Sequence, residues 1–221
     1  MTQSQSFRAH LRSLPSLVGE PRPFDPAARP PTPQELFLQW FQQAQEAGVP
    51  EPHAMTLSTI GSDGIPDSRM LVLKDLSPDG AWCFAGGRDS AKGRELAQHP
   101  VAAVLFYWRE QVRSVRIRGR IREASPDEAR SDFLARHAGA RAVTVAGRQS
   151  APVDDGVDLA ADVEAATRRI SAEPDLTPSS WALWMLDPTE VEFWQGSRTR
   201  IHERLLYRRV SSGWETSRLR P

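Results

Sequence analysis

The chain has 221 residues, long enough for one substantial core or one domain with an appended subdomain, and its 28 Lys+Arg balance 28 Asp+Glu. Zero formal net charge leaves no global field to attract nucleic acid or an anionic membrane. One cysteine, Cys83, excludes an intrachain disulfide framework and a cysteine metal cluster, and no apolar run reaches the about 18 residues of a membrane span. Without a signal-peptide-like apolar segment near the N-terminus, these properties imply a soluble, cytoplasmic protein that binds neither nucleic acid nor membrane.

Residues 1–31 are polar and proline-rich, with Leu11, Leu14 and Leu17 as docking points, and read as an extended arm. Thr32-Pro33-Gln34-Glu35 fits a capping box, and Leu36, Trp40, Phe41 and Ala44 follow at helical spacing until Gly48 and Pro50. From Ala54 the period shifts to that of strands: Ala54–Ile60, Asp67–Lys74 and Ala81–Ala85, with turns at Ser62-Asp63-Gly64 and Pro78-Asp79-Gly80. Asp89-Ser90 caps a helix from Ala91 to Gln98, and Val101–Tyr107 and Gln111–Glu123 are two more strands. A second capping box, Ser125-Pro126-Asp127-Glu128, opens a helix to about Arg136; a loop over 138–156 and a helix over Asp158–Ile170 follow. Trp181–Leu186, Val191–Trp194, Arg200–Arg209 and Trp214–Leu219 close the series as strands. Short strands with a few interposed helices favour a mainly β fold, a closed antiparallel barrel with added helices. Neither regular strand–helix alternation nor a G-x-G-x-x-G fingerprint is present for a doubly wound sheet.

In one strand, Arg200, His202 and Arg204 would share a face at steps of roughly 6.5–7 Å, and two cations beside a histidine need an anionic or electron-rich partner. Trp194, upstream across Gln195-Gly196, would add a flat apolar wall, so the run suits a planar charged small molecule; a solvated Arg-rich edge strand suits it equally. Arg69-Met70-Leu71-Val72-Leu73-Lys74 is an apolar strand bracketed by cations, which face opposite sides unless one lies at a strand end or bulge. Ser90-Ala91-Lys92-Gly93-Arg94 opens a helix, where free N–H groups suit a phosphate, although many surface helices begin this way. Along Arg113–Arg122, Val115, Ile117, Gly119 and Ile121 alternate with Ser114, Arg116, Arg118, Arg120 and Arg122. A basic stripe could follow a nucleic-acid backbone, but balanced charge favours a solvated face paired with acidic neighbours. Gln149-Ser150 follows a loop with few apolar anchors and has no evident structural task. The histidines (His10, His53, His99, His137, His202) lack metal-ligand spacing, and no H-E-x-x-H or G-x-S-x-G occurs, so no metal centre is expected.

Taken in this order, these segments resemble the pyridoxamine/pyridoxine 5′-phosphate oxidase family of FMN enzymes, from about Pro33 to the C-terminal Arg-Leu-Arg-Pro. The resemblance rests on Arg69–Lys74, Ser90-x-Lys92-Gly93-Arg94, Gln149-Ser150, Glu192-Phe193-Trp194-Gln195-Gly196 and Arg200-x-His202-x-Arg204. It implies an FMN-binding split β-barrel over residues 32–221, a homodimer with FMN at the subunit interface, and C-terminal dimerisation strands over about 175–221. It further implies that Arg69, Met70, Leu71, Val72, Leu73, Lys74, Phe84, Ala85, Ser90, Lys92, Ser114, Gln149, Ser150, Trp194 and Arg204 hold the cofactor, several from the partner subunit. Lys74, Asp132, Arg136, Arg200 and His202 would meet a small-molecule substrate, with Arg200 and His202 as the catalytic pair. The implied reaction passes a hydride from substrate C4′ to flavin N5, and molecular oxygen reoxidises the flavin to give H2O2.

The sequence departs from the family pattern at the substrate end. Asp132 stands where the family has a tyrosine, and Ala140 where it has that tyrosine's serine partner. Ser114 replaces a flavin-contacting glutamine, Phe84-Ala85 a Tyr-Thr pair, and Ala91 the arginine before Lys92. An aspartate beside a phosphate pocket that has lost its hydroxyls should weaken dianion binding by roughly several kcal/mol. Tyr107-Trp108-Arg109-Glu110 and Lys92-Gly93-Arg94-Glu95-Leu96 resemble the phenazine-biosynthesis flavin oxidases of the same superfamily, which oxidise reduced tricyclic carboxylates. A flavin-binding protein without turnover is the third alternative.

Overall fold

The computed structural model describes residues 6–221, so the first five residues of the expected arm lie outside the described residues. Within the arm, Ser6 caps a short helix, α1 (Phe7–Ser13), that buries no side chain, and Asp25 caps a 3-10 turn at Pro26–Ala28. The expectation of a wholly extended arm is corrected there, because two side-chain caps satisfy amides that would otherwise face water. Helix α2 (Pro33–Glu46) begins at the expected capping box: Thr32 Oγ1 accepts from Glu35 N–H, and the Glu35 carboxylate accepts from Thr32 N–H. Its buried face is Leu36, Phe37, Trp40 and Ala44.

Then come β1 (Ala54–Ile60), β2 (Pro66–Val72), β3 (Asp75–Leu76), β4 (Trp82–Gly87), α3 (Ala91–Gln98), β5 (Val101–Trp108) and β6 (Arg113–Glu123). Helices α4 (Pro126–Leu134), α5 (Ala138–Ala146) and α6 (Leu159–Ala172) precede β7 (Trp181–Gln195), β8 (Glu203–Val210) and β9 (Gly213–Arg218). The strands hydrogen-bond in the order β2-β1-β5-β6-β7-β4-β3, with β8 pairing β7 and β9. Among the described residues, no helix is long and apolar enough to cross a membrane.

Four expectations change. The strand expected over Asp67–Lys74 stops at Val72: Leu73 N–H turns to the His53 carbonyl and Lys74 N–H to the Cys83 carbonyl, which places Lys74 in the break before β3. The expected loop over 138–156 opens with α5, because Ala142 can pack against Ala166 and Ile170 of α6. Trp181–Leu186 and Val191–Trp194 form one strand that passes through Pro188. There Gly119 lets β6 approach closely, since a Cβ at that position would lie 1.9 Å from the Asp187 carbonyl oxygen. The last change concerns Arg200 and His202, which precede β8.

Contacts divide the chain into two compact units, one built from the chain up to Pro52 with Phe106–Arg116 and Val191–Pro221, the other from His53–Leu105 and Ile117–Glu190. In the first, Trp40 meets Phe24 and Phe193 edge-on at 5.0 and 5.2 Å, and Phe193 continues to Tyr207 at 5.8 Å. Arg113 is only 1 % exposed there, its guanidinium 4.2 Å over the Trp40 ring and donating to Gln43 Oε1 and Gln195 Oε1 at 2.6 Å each. In the second unit Ala81, Cys83, Phe133, Trp181 and Met185 share a core cluster. The basic face of β6 is paired with acids as expected: Arg116 with Glu192 in the first unit, Arg118 with Glu190 and Arg122 with Asp187 in the second.

Candidate functional site

The second unit holds a cleft of about 330 Å³ whose lining includes Leu71, Val72, Lys74, Lys92, Arg136 and Gln149. One end is built by the start of α3. Ser90 Oγ accepts from Gly93 N–H at 3.3 Å and donates to the Gly87 carbonyl at 2.7 Å, fixing the first turn. Two glycines allow that close fit: a Cβ at Gly93 would lie 2.3 Å from the Arg88 carbonyl oxygen, and one at Gly86 would lie 2.6 Å from Lys92 Cε. Lys92 therefore lies over a bare backbone, 4 % exposed, with Nζ donating to Ser90 Oγ and Gln149 Oε1 at 3.1 Å each. Burial lowers its pKa and the charge of Arg69 lowers it further, while the charges of Asp89 and Glu95 oppose the shift. Among the described residues no carboxylate lies within ion-pair distance of this ammonium. Ser150 Oγ accepts from Ala91 N–H at 3.2 Å, and the backbone on either side of Gln149 is left-handed, with φ of 60° at Arg148 and 72° at Ser150. Such non-glycine conformations persist where surrounding contacts hold them.

Asp132 stands just behind the lining, against Lys74 and Trp181. Its Oδ1 lies 3.7 Å from Lys74 Nζ, and its Oδ2 accepts from Trp181 Nε1 at 3.1 Å. Arg136 stacks 4.2 Å over the Trp181 ring and donates to Thr144 Oγ1 at 2.7 Å. Burial lowers the Arg136 pKa while the charge of Asp132 opposes that shift.

Several expected cofactor residues stand elsewhere. Ala85 lines the cleft, but Phe84 is fully buried with its ring 5.7 Å from Trp184, so only its backbone can face a ligand. Alternation along β2 turns Met70 away from Leu71, leaving it 65 % exposed, and Leu73 occupies the break after β2. Arg69 is not in the cleft lining; its Nη2 pairs with Asp67 at 2.6 Å and Glu95 at 2.9 Å. Lys74 reaches the cleft because the strand breaks before it, but with Arg69 outside the lining the two bracketing cations do not meet there.

In the first unit a cavity of about 410 Å³ is lined by Ser114, Arg116, Glu192, Trp194, Arg204 and Pro221. Arg204 donates Nε to Glu192 Oε1 at 2.7 Å and Nη1 to the Arg220 carbonyl at 3.0 Å. Its counter-charge is thus Glu192, 7 % exposed, which Arg116 shares. The common strand face expected for Arg200, His202 and Arg204 does not form, since only Arg204 is in β8. Arg200 has φ 66° in a turn closed by its N–H to the Ser197 carbonyl, and its guanidinium donates to Ser16 Oγ at 3.2 Å. His202 Nδ1 accepts from Ser197 N–H at 3.0 Å, which keeps the neutral ring's proton on Nε2, and the ring sits 5.0 Å from that of Trp194. Gln111 is 2 % exposed and donates to the Gln43 carbonyl, whereas Ser114 lines the cavity.

Trp181 and Thr144, which seat Arg136, and Gly86, which makes room for Lys92, were not legible as site residues. Glu192 was legible only as part of the Glu-Phe-Trp-Gln-Gly run; a carboxylate between two cavity arginines is the signal that assigns it a task.

Two family descriptions match the chain: pyridoxamine 5′-phosphate oxidase over residues 41–170 and the pyridoxine 5′-phosphate oxidase C-terminal dimerisation region over 181–221. A pyridoxine/pyridoxamine 5′-phosphate oxidase of Burkholderia cenocepacia (strain HI2424) is 42 % identical over 200 residues, covering 89 % of this chain and 92 % of that protein. One from Herminiimonas arsenicoxydans is 41 % identical over 201 residues, with the same coverage of 89 % and 92 %. The crystal structure of PhzG from Burkholderia lata 383, in complex with tetrahydrophenazine-1-carboxylic acid, superposes with TM-score 0.86 at 30 % identity, covering 92 % of this chain and all of that one. A pyridoxamine 5′-phosphate oxidase-related, FMN-binding protein of Nostoc punctiforme shares the fold, with TM-score 0.72 at 19 % identity over 87 % of this chain and all of that one. With both family regions matched in order and the split-barrel fold in common, the chain belongs to the pyridoxamine 5′-phosphate oxidase family, a family of oxidoreductases.

Proposed function

We propose that this protein is an FMN-dependent oxidase that uses molecular oxygen to oxidise a small anion-bearing ring compound. The observation that carries the reading is Lys92: a buried ammonium hydrogen-bonded to two neutral oxygens, with no carboxylate in direct ion-pair contact among the described residues and only Asp89 and Glu95 acting on it from farther off, at the start of a helix whose first turn contains no acidic residue. Such a group suits a phosphate dianion, so the residues present fit the phosphate of FMN. When bound, FMN supplies the hydride acceptor and passes the electrons to O2, giving H2O2. Lys92, Ser90 and the Gln149-Ser150 segment hold the phosphate end; Leu71, Val72 and Ala85 give apolar walls. In the homodimer that the C-terminal dimerisation region supports, Trp194 and Arg204 of one subunit serve the flavin held by Lys92 of the other. Arg200 and His202 orient the substrate, His202 through its Nε2 proton. Outward-facing Met70 and Leu105, aligned across β2, β1 and β5 through Thr56, offer an apolar row for such an assembly.

Two substrates fit this site. The curated relatives favour pyridoxamine or pyridoxine 5′-phosphate, oxidised to pyridoxal 5′-phosphate. The second reading, a reduced tricyclic carboxylate, is favoured by Asp132, which occupies Lys74 and Trp181 at the substrate end of the cleft. A parallel oxidase assay with pyridoxamine phosphate, pyridoxine phosphate and a dihydrophenazine carboxylate tests both. H2O2 release with any of the three supports the oxidase reading; flavin-loaded protein inert toward all three contradicts it.

A further inference from the structure

We infer that Asp132 is a specificity-determining residue that reduces the charge at the substrate end of the cleft, so that this end takes a singly charged group such as a carboxylate in preference to a phosphate dianion. The inference rests on the proposed reading of the cleft as the site of an anionic substrate. Of the cations that line the cleft, Lys74, Lys92, Arg136 and Arg148, the two next to Asp132 are Lys74 and Arg136, Asp132 itself standing just behind the lining. One of them is already matched, because Asp132 Oδ1 lies 3.7 Å from Lys74 Nζ. The carboxylate cannot easily swing aside: Trp181 Nε1 donates to its other oxygen at 3.1 Å, and its side chain is only 14 % exposed. Arg136 is likewise fixed, stacked on the same Trp181 ring and tied to Thr144, whose hydroxyl donates to the Ala140 carbonyl at 3.0 Å. With Ala140 offering no side-chain hydroxyl, Arg136 is the one of these two cations that makes no carboxylate ion pair among the described residues.

One cation matches one negative charge. A dianion would bring a second charge toward a fixed carboxylate and meet about twice the repulsion that a monoanion meets. Hydrogen bonding adds to the effect, since a carboxylate can be satisfied by one bidentate guanidinium whereas a phosphate needs further donors.

The test uses flavin-loaded protein and two ligands inert to oxidation: 4′-deoxypyridoxine 5′-phosphate, and its analogue with a carboxymethyl group in place of the phosphate ester. Dissociation constants are measured by calorimetry for the wild type, Asp132→Asn and Asp132→Glu. Asparagine keeps an oxygen for Trp181 Nε1, so the fold's hydrogen bond survives while the charge goes. The wild type should bind the carboxylate at least as tightly as the phosphate, a comparison that needs no variant. In Asp132→Asn the phosphate should gain about tenfold and the carboxylate about threefold, because the gain scales with the ligand's charge. Asp132→Glu should keep the wild-type order. A wild type that prefers the phosphate tenfold, equal gains for both ligands in Asp132→Asn, or flavin-loaded protein that binds neither ligand would overturn the inference. Flavin absorbance is recorded on the same samples: failure to hold FMN at all sinks the proposed function, whereas bound flavin with no charge-dependent change sinks only the role of Asp132.

Discussion

Replacing Lys92 by methionine separates a ligand-binding charge from a structural one. Methionine has similar length and no charge, so it can lie over Gly86 as the lysine does. What the apoprotein loses is two hydrogen bonds, to Ser90 Oγ and Gln149 Oε1. Ser90 keeps its bonds to Gly93 N–H and the Gly87 carbonyl, so the start of α3 stays capped. What the apoprotein gains is relief from a buried charge that Asp89 and Glu95 offset only in part, and the two effects should cancel to within about 1 kcal/mol. Flavin binding has no such compensation. A charge-assisted hydrogen bond to phosphate contributes about 1.5–3 kcal/mol net, so Lys92→Met should weaken FMN binding about 10- to 150-fold. The pH dependence gives a second check. Burial lowers the folded-state pKa of Lys92 below 10.5, so the unfolded chain binds more protons between the lowered value and 10.5. The cost of the buried charge is therefore fully present below that window and fades as pH rises through it. Any stability advantage of Lys92→Met should shrink over the same range. FMN fluorescence quenching and thermal melts of apo and flavin-loaded protein measure both quantities. Apoprotein destabilised by more than about 3 kcal/mol with FMN affinity unchanged would refute the reasoning and make Lys92 a structural residue.

Three further outcomes follow from other residues. Arg200→Ala and His202→Ala should lower turnover while FMN stays bound; loss of flavin from either variant would show that they serve the cofactor. Arg113→Ala should cost about 3 kcal/mol or more in urea denaturation, because it strands the Gln43 and Gln195 oxygens and empties space beside Trp40; a cost below about 1 kcal/mol would contradict its place in the core. Burial, with the nearby Asp75 charge, pushes the Cys83 thiol up to about 11, so iodoacetamide at pH 8 should label it only after unfolding; rapid labelling of folded protein would contradict that burial.

Elements with a local signal were legible in the sequence. The two Thr/Ser-Pro-x-Glu boxes set the starts of α2 and α4, and the alternation of Ala54–Ile60 gave β1 its bounds. The basic face of β6 was read correctly as acid-paired, although its partners on β7 are about 70 residues distant in sequence. Failures fell where tertiary contact decides. Helix α5 lies in an Ala/Gly/Arg-rich stretch whose composition suggests a loop, and its stability comes from the packing of Ala142 against Ala166 and Ile170 of α6. The two strands expected at Trp181–Leu186 and Val191–Trp194 are one continuous strand, β7, which Gly119 of β6 passes closely at Asp187 and Pro188. The cations divided in the same way. Lys92 could be located from its helix-start motif, but its burial over Gly86 is a property of two strands and a helix meeting. Arg204 lines a cavity from β8, whereas Arg200 and His202 precede that strand, because the turn from Ser197 to Arg200 delays it until Glu203, which spacing alone does not show.

The central claim is that the cleft around Lys92 holds FMN, and the absorption spectrum of the purified protein tests it most directly. The purified protein should be yellow, with the visible absorbance of a bound flavin, and should release FMN on denaturation. A colourless protein whose tryptophan and flavin fluorescence are unchanged on adding FMN would contradict it.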